Sequence, residues 1–337
     1  MSRAKAGLLL LFLLATPGCY LGHLALGQAR LLHAGRPIDD LIADPATPAL
    51  LRERLAWIHE VRAFASRLGL EVDEQYTSYV EWPGDRVVTT VVATPPGSLE
   101  PRQFWFPIVG RVPYKGFFDP QRAHGEAERL RADGFDVCEV PVRAYSTLGW
   151  FADPVTGPML QGSDGVLVET LVHELVHATV YLPSEADFNE GVASFIGEEG
   201  SVRFFAETRG AEAAARERER VADKRRIAAA VLAFRREVEQ LYANPAADRA
   251  RAASRAAAET RARASIAGLA LVTRDPARLA SEVRLSDACL ALTLTYAADV
   301  DGYAATLASL GGDLPAFVAR LREAAGSKDP RAALLSQ

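Results

Sequence analysis

At 337 residues, with 49% hydrophobic and 24% charged side chains, the chain is long enough to bury one large core or two smaller ones and has the composition of a folded protein. Its net charge is −5, and Lys and Arg are interspersed with Glu and Asp rather than gathered in a tract. That distribution gives no electrostatic footprint for nucleic acid, so no nucleic-acid partner is expected.

The amino-terminal segment has its own purpose. Arg3 and Lys5 precede an apolar run from Ala6 to Ala15, the charged and hydrophobic regions of a secretory signal. Small residues at Thr16 to Gly18 then lead to Cys19. Residues 1–18 therefore read as a lipoprotein-type signal and Cys19 as the lipid-bearing start of the mature chain, although Thr16 stands where such signals usually carry Leu. Two alternatives stay open: an uncleaved anchor, since no Asp, Glu, Lys or Arg occurs between Ala6 and Ala29, and simple secretion. All three place the bulk of the chain outside the cytoplasm.

Residues 19–165 read as a mixed α/β portion. Thr47-Pro48 starts a helix whose apolar residues Leu51, Leu55, Ile58, Val61, Phe64 and Leu68 recur at helical spacing until Gly69. Arg86 to Ala93 and Gln103 to Val112 read as strands, Asp119-Pro120 caps a helix to about Ala132, and Phe135 to Val142 is a third strand. Tyr145 to Leu160 has the Gly and Pro content of a loop. Residues 166–337 read as almost wholly helical, with boundaries at Asn244-Pro245 and Asp275-Pro276. Cys138 and Cys289 can pair in an oxidising compartment if the fold brings them together, but the favoured reading is two buried free thiols.

The segment that carries chemistry is His173-Glu174-Leu175-Val176-His177, an HExxH motif inside a strongly helical run. Residues four apart share a helix face, so His173 and His177 can present imidazole nitrogens to one Zn²⁺ while Glu174 stands beside them as general base. The bland alternative is a buried helix with hydrogen-bonded histidines, but this motif arises by chance in such a chain only on the order of once in a hundred. A zinc hydrolase needs a third protein ligand and leaves one position open for water. Glu190, 13 residues after His177 at the start of the next helical run, fills that role, with the turn at Tyr181 to Asp187 bringing the helices face to face. Glu198 and Glu199 are rival ligands that read better as a charged helix end in water.

His-Glu-Leu-Val-His followed by Asn-Glu-Gly-Val-Ala at 189–193 resembles the HExxH and NExxA pair of the gluzincins, the group that includes thermolysin and the aminopeptidase N relatives. Phe188-Asn189-Glu190 with Gly197-Glu198-Glu199-Gly200 is closer to a family of bacterial lipoproteins assigned as zinc aminopeptidases. Further segments resemble that family: Arg36 to Asp40, Val109-Gly110 with Tyr114 to Asp119, Ala144 to Phe151, and Leu285 to Tyr296. The resemblance implies an α+β gluzincin fold with a small sheet, a peptide substrate in the bacterial cell envelope, one zinc on His173, His177 and Glu190, and Glu174 as base. Two departures stand beside it. Ser194 occupies the place of the Asp that orients a ligand histidine in thermolysin-like proteins, and the GxMEN segment of the aminopeptidase N relatives is absent.

Gluzincins also donate a hydrogen bond to the substrate oxyanion; Tyr145, Tyr242 and Tyr296 are candidates here, with Tyr296 favoured. His23, His33, His59 and His124 read as surface or packing residues. A reading from another class is a lipid-anchored binding or envelope-assembly protein that keeps the scaffold without turnover. Such a protein has no need of Glu174, which is not a metal ligand, so its presence favours the enzyme.

Overall fold

The computed structural model describes residues 20–106, 110–144, 152–183, 185–244, 250–293 and 299–336. The signal segment, Cys19, Tyr145 and Tyr296 lie outside these residues. The elements used below are, in chain order, α1 (Tyr20–His33), β1 (Arg36–Pro37), α2 (Ala49–Arg67), β2 (Ser78–Val80), β3 (Val88–Thr94), β4 (Phe104–Phe106), β5 (Gly110–Val112) and β6 (Lys115–Phe117). They continue with α3 (Pro120–Ala132), β7 (Asp136–Val142), β8 (Val155–Thr156), α4 (Asp164–Thr179), α5 (Ala186–Arg209), α6 (Ala211–Ala243) and α7 (Arg251–Ala267). Three more helices matter: α8 (Asp287–Leu290), α9 (Val300–Ser309) and α10 (Leu314–Ala325).

The fold class is α+β: helices dominate, and the strands form small sheets ordered β1-β2-β8, β6-β3-β7 and β4-β5. β3 is antiparallel to both neighbours, with Thr90 opposite Val140 and also opposite Gly116. Its continuous Val and Thr content suits this central place, where both faces are covered. α3 begins as the sequence dictates, with the Asp119 side chain accepting from the Gln121 N–H, and Gly134, at a φ of 87°, turns the chain into β7. The expected strand at Gln103 to Val112 is instead two short strands, β4 and β5, paired as a hairpin with Trp105 opposite Arg111.

One core cluster joins the two portions of the sequence. Leu55, Ile58, Val61 and Phe64 of α2 pack with Leu167, Leu171 and Leu175 of α4, Phe188, Phe195 and Phe204 of α5, Tyr303 of α9 and Phe317 of α10. α5 runs through the interior, buried over most of the stretch from Phe188 to Phe205 with polar residues such as Asn189, Ser194, Glu198 and Ser201 enclosed among its apolar ones. The cysteines are not free thiols: Cys138 on β7 is disulfide-bonded to Cys289 on α8. Sequence patterning cannot register that approach across 151 positions. It arises because α8 docks on the sheet, where the Asp136 carboxylate accepts from the Ala288 N–H at 2.8 Å. No helix among the described residues is long and apolar enough to cross a membrane.

Candidate metal centre

α4 carries the HExxH residues, and its start is fixed at several points. Ser163 accepts from the Val166 N–H, while Arg54 of α2 pairs with Asp164 and donates to the carbonyls of Leu160 and Gly162 at 2.7 and 2.6 Å. Leu167, Val168, Leu171, Val172, Leu175 and Val176 are buried along α4. Each such side chain contributes about 1.5–3 kcal/mol relative to exposure, so the helix cannot rotate without loss. That fixes the direction of His173 and His177, the latter buried to 4% exposure.

α5 supplies Glu190, and the residue before it explains its placement. The Asn189 side chain accepts from the Leu182 N–H at 3.0 Å and donates to the Leu182 carbonyl at 2.7 Å, clamping the connection between the helices. Farther along, Gly197 and Gly200 let α5 lie against α4: a Cβ on Gly200 would meet Val172 at 3.1 Å. Behind the site the same two helices are joined by charge. Lys224 of α6 reaches Glu169 of α4 and, at 2.9 Å, Glu198 of α5, while Arg220 and Arg225 add their guanidinium groups to Glu169 and Glu198. Glu198 is therefore a buried ion-pair residue in mid-helix, and Glu199 pairs with Arg225; neither is the solvated helix end that the sequence suggested.

His173, His177 and Glu190 converge so that one donor atom of each lies within 4.8 Å of the others. The two Nε2 atoms are 3.0 Å apart, and the Glu190 oxygens stand 3.3 Å from His173 Nε2 and 3.5 Å from His177 Nε2. Donors held tetrahedrally at bond lengths of about 2.0–2.1 Å are separated by roughly 3.3–3.4 Å, so the trio fits a small divalent cation. Two imidazoles and a carboxylate are also the donor chemistry such an ion takes, and a cation relieves the close approach of the two ring nitrogens. Ser194 Oγ lies 3.5 Å from His173 Nδ1, and His177 Nδ1 is buried without a partner among the described residues.

The trio is also electrostatically coupled. Burial opposes ionisation of Glu190, but hydrogen bonds from His173 and His177 outweigh it and hold the carboxyl at about 2. Burial likewise disfavours the charged form of His173, yet the Glu190 hydrogen bond and the charges of Glu174 and Glu190 raise its pKa. Glu174 is thus close enough to act on His173 while standing outside the trio.

A family model described as "Putative aminopeptidase" matches residues 19–335 of the chain. The chain belongs to that family. No curated protein and no solved structure matches it.

Of the expected oxyanion donors, Tyr145 and Tyr296 lie outside the described residues, and Tyr242 is committed elsewhere. Its hydroxyl donates to Asp287 Oδ2 at 2.5 Å, and burial together with that carboxylate pushes it up to about 12. Three other tyrosines are coupled to the site, one by ring contact and two through charge. Tyr76, buried and at a φ of 59°, lies within the electrostatic reach of Glu174. Tyr114 is similarly near Glu190, and Tyr181 meets the His177 ring edge-on at 6.4 Å between centroids. Only Tyr181, four residues beyond His177, left a spacing signal in the sequence. Tyr76 and Tyr114 arrive through tertiary packing.

Proposed function

We propose that this member of the aminopeptidase family is a zinc-dependent peptidase of the gluzincin type, with His173, His177 and Glu190 as ligands and Glu174 as general base. The observation that carries the reading is the convergence of the two imidazole Nε2 atoms, 3.0 Å apart, with the two Glu190 oxygens, one 3.3 Å from His173 and the other 3.5 Å from His177, a donor set that suits a small divalent ion. Zinc bound there supplies an acidified water and a polarised scissile carbonyl. The chain's own contribution is proton transfer and positioning. Glu174 takes the proton from the attacking water and delivers it to the leaving amine. Glu190 and the two imidazoles stay fixed because the core holds both helices and Asn189 clamps their connection. Family membership supports removal of amino-terminal residues as the form of hydrolysis.

The same reading has the protein in the bacterial cell envelope, on the periplasmic side, lipid-anchored through Cys19 after removal of residues 1–18, with an uncleaved N-terminal transmembrane anchor as the alternative. The Cys138–Cys289 disulfide supports export, since such bonds persist in oxidising compartments. Metal analysis of the purified protein together with cleavage of a peptide library tests the assignment. About one zinc per chain and cleavage that a chelator abolishes are expected. Full zinc occupancy without cleavage of any peptide would transfer the reading to a binding protein.

A further inference from the structure

Two stretches of the chain differ from the rest in charge. Residues 20–38 carry Arg30 and Arg36, residues 101–118 carry Arg102, Arg111 and Lys115, and neither stretch holds an Asp or Glu. The whole chain, by contrast, has 43 acidic against 38 basic residues. Arg36 is paired with Asp44 and Lys115 with Glu126, but Arg30, Arg102 and Arg111 face no carboxylate among the described residues. The same stretches expose large apolar side chains, with Leu26 on α1 67% exposed and Trp105 on β4 68% exposed. Strand alternation sends Phe104 and Phe106 into the core and Trp105 outward, beside its cross-strand partner Arg111.

The fold brings the two stretches together at Tyr20, which follows Cys19 directly in the sequence. The Tyr20 hydroxyl donates to the Gly116 carbonyl at 2.9 Å, and its ring stacks on Phe106 at 5.3 Å and meets Phe117 edge-on at 5.2 Å. Farther along α1, His23 Nε2 accepts from the Phe118 N–H at 3.1 Å, and a Cβ on Gly27 would stand 2.1 Å from the Phe118 ring. α1 is therefore fixed to the β4–β5 hairpin and to β6 from its first residue. Consecutive Cα atoms are about 3.8 Å apart, so a lipid on Cys19 has no slack between itself and this junction.

We infer that this end of the molecule, Trp105 and Arg111 on the hairpin with Leu26 on α1, is a seating surface for an anionic lipid bilayer. This rests on the lipid-anchor reading above and adds that the folded body is set against the membrane without a linker. Trp105 lies one residue from Phe106, on which Tyr20 is stacked, so the anchor brings the indole to the bilayer surface. Indole rings settle at the boundary between headgroups and acyl chains, and arginines are drawn to anionic headgroups. Leu26 stands about 9 Å beyond Tyr20 along the helix, within the depth of about 5–10 Å to which that boundary takes apolar groups. A second copy of the chain is a poor occupant, because Arg111 would meet Arg111 with no carboxylate between them.

The test uses the full chain purified from membranes with its native amino terminus and placed in vesicles of phosphatidylethanolamine and phosphatidylglycerol that carry brominated lipids at graded depths. Tryptophan quenching, strongest from the shallow bromine position, is expected in the wild type and lost in Trp105→Phe. Arg111→Glu should weaken the quenching by about five-fold with phosphatidylglycerol present and leave it unchanged in phosphatidylcholine alone. Both side chains are exposed, so neither change disturbs the core. Equal quenching in the wild type and Trp105→Phe overturns the inference. Self-association that depends on Trp105, without quenching, also overturns it and gives the face to a second copy of the chain. The amino-terminal mass of the same preparation reads the anchor separately. An unlipidated chain would sink the lipid-anchor reading, while loss of quenching in Trp105→Phe would still assign the face to the bilayer.

Discussion

Gly197 lies so close to α4 that a Cβ built on it would stand 2.9 Å from the Glu169 carbonyl oxygen and 3.4 Å from the Cβ of His173. The first distance is shorter than a side-chain carbon tolerates, and the opposing atom is backbone that cannot swing aside. Gly197→Val should therefore push the helices apart at the level of His173. A loss of about 1–3 kcal/mol in urea unfolding is expected from the overpacking. Zinc affinity should fall as well, because the Glu190 side of the trio moves with α5. Unchanged affinity by equilibrium dialysis would separate the helix crossing from the metal site.

The roles of the two carboxylates can be told apart. Glu174→Gln keeps size and hydrogen-bonding capacity but cannot accept a proton, so zinc content should stay near wild type while turnover falls by at least about 10²-fold. Glu190→Gln removes a charge that neutralises the ion, so affinity and activity should fall together and added zinc should restore part of the loss. Wild-type rates from Glu174→Gln at equal zinc occupancy would remove Glu174 from the chemistry.

The disulfide closes a long loop between β7 and α8, with 151 residues of sequence separation. A crosslink of that span restricts the unfolded chain strongly, and Cys138→Ser with Cys289→Ser should cost roughly 3–5 kcal/mol. The trio does not touch either cysteine. Unfolding curves with and without reductant should differ for the wild type and coincide for the double variant, while zinc content remains unchanged in both.

In metal-free protein the trio should give stability a characteristic pH window. The Glu190 carboxyl is lowered from 4.5 to about 2, so its contribution is present above 4.5 and is lost as the pH falls toward 2. His173 is raised from 6.5, so its contribution is complete below 6.5 and fades as the pH climbs through the raised value. The stability difference between wild type and Glu190→Gln, after chelation, should be largest between those limits. A difference that is flat from acid to alkaline pH would mean that the trio is not ion-paired.

The site was more legible than the frame around it. His173, Glu174 and His177 share one helical turn, so the periodicity of α4 alone places them together, and Glu190 follows one short connection later. Both relations are local, and local geometry is what spacing encodes. The same holds for the apolar recurrence of α2 and for the Asp119 cap of α3, which are written in adjacent residues, whereas α2 begins after Pro48 with no side-chain cap. The hairpin in place of one strand at Gln103 to Val112 shows the limit: apolar, branched residues suit either arrangement, and pairing partners decide between them.

What the sequence by itself determined is the grouping of His173, His177 and Glu190 with Glu174 beside them, because each is tied to its neighbour by helix repeat or by a single turn. Tertiary structure alone decided the rest. Cys138 meets Cys289 only because α8 docks on the sheet edge, and Glu198 is withdrawn from water only because Lys224 and Arg225 of α6 reach it. Each of these contacts joins residues far apart in the chain, and none leaves a period or a motif, since the forces that make them are burial and charge pairing between whole elements.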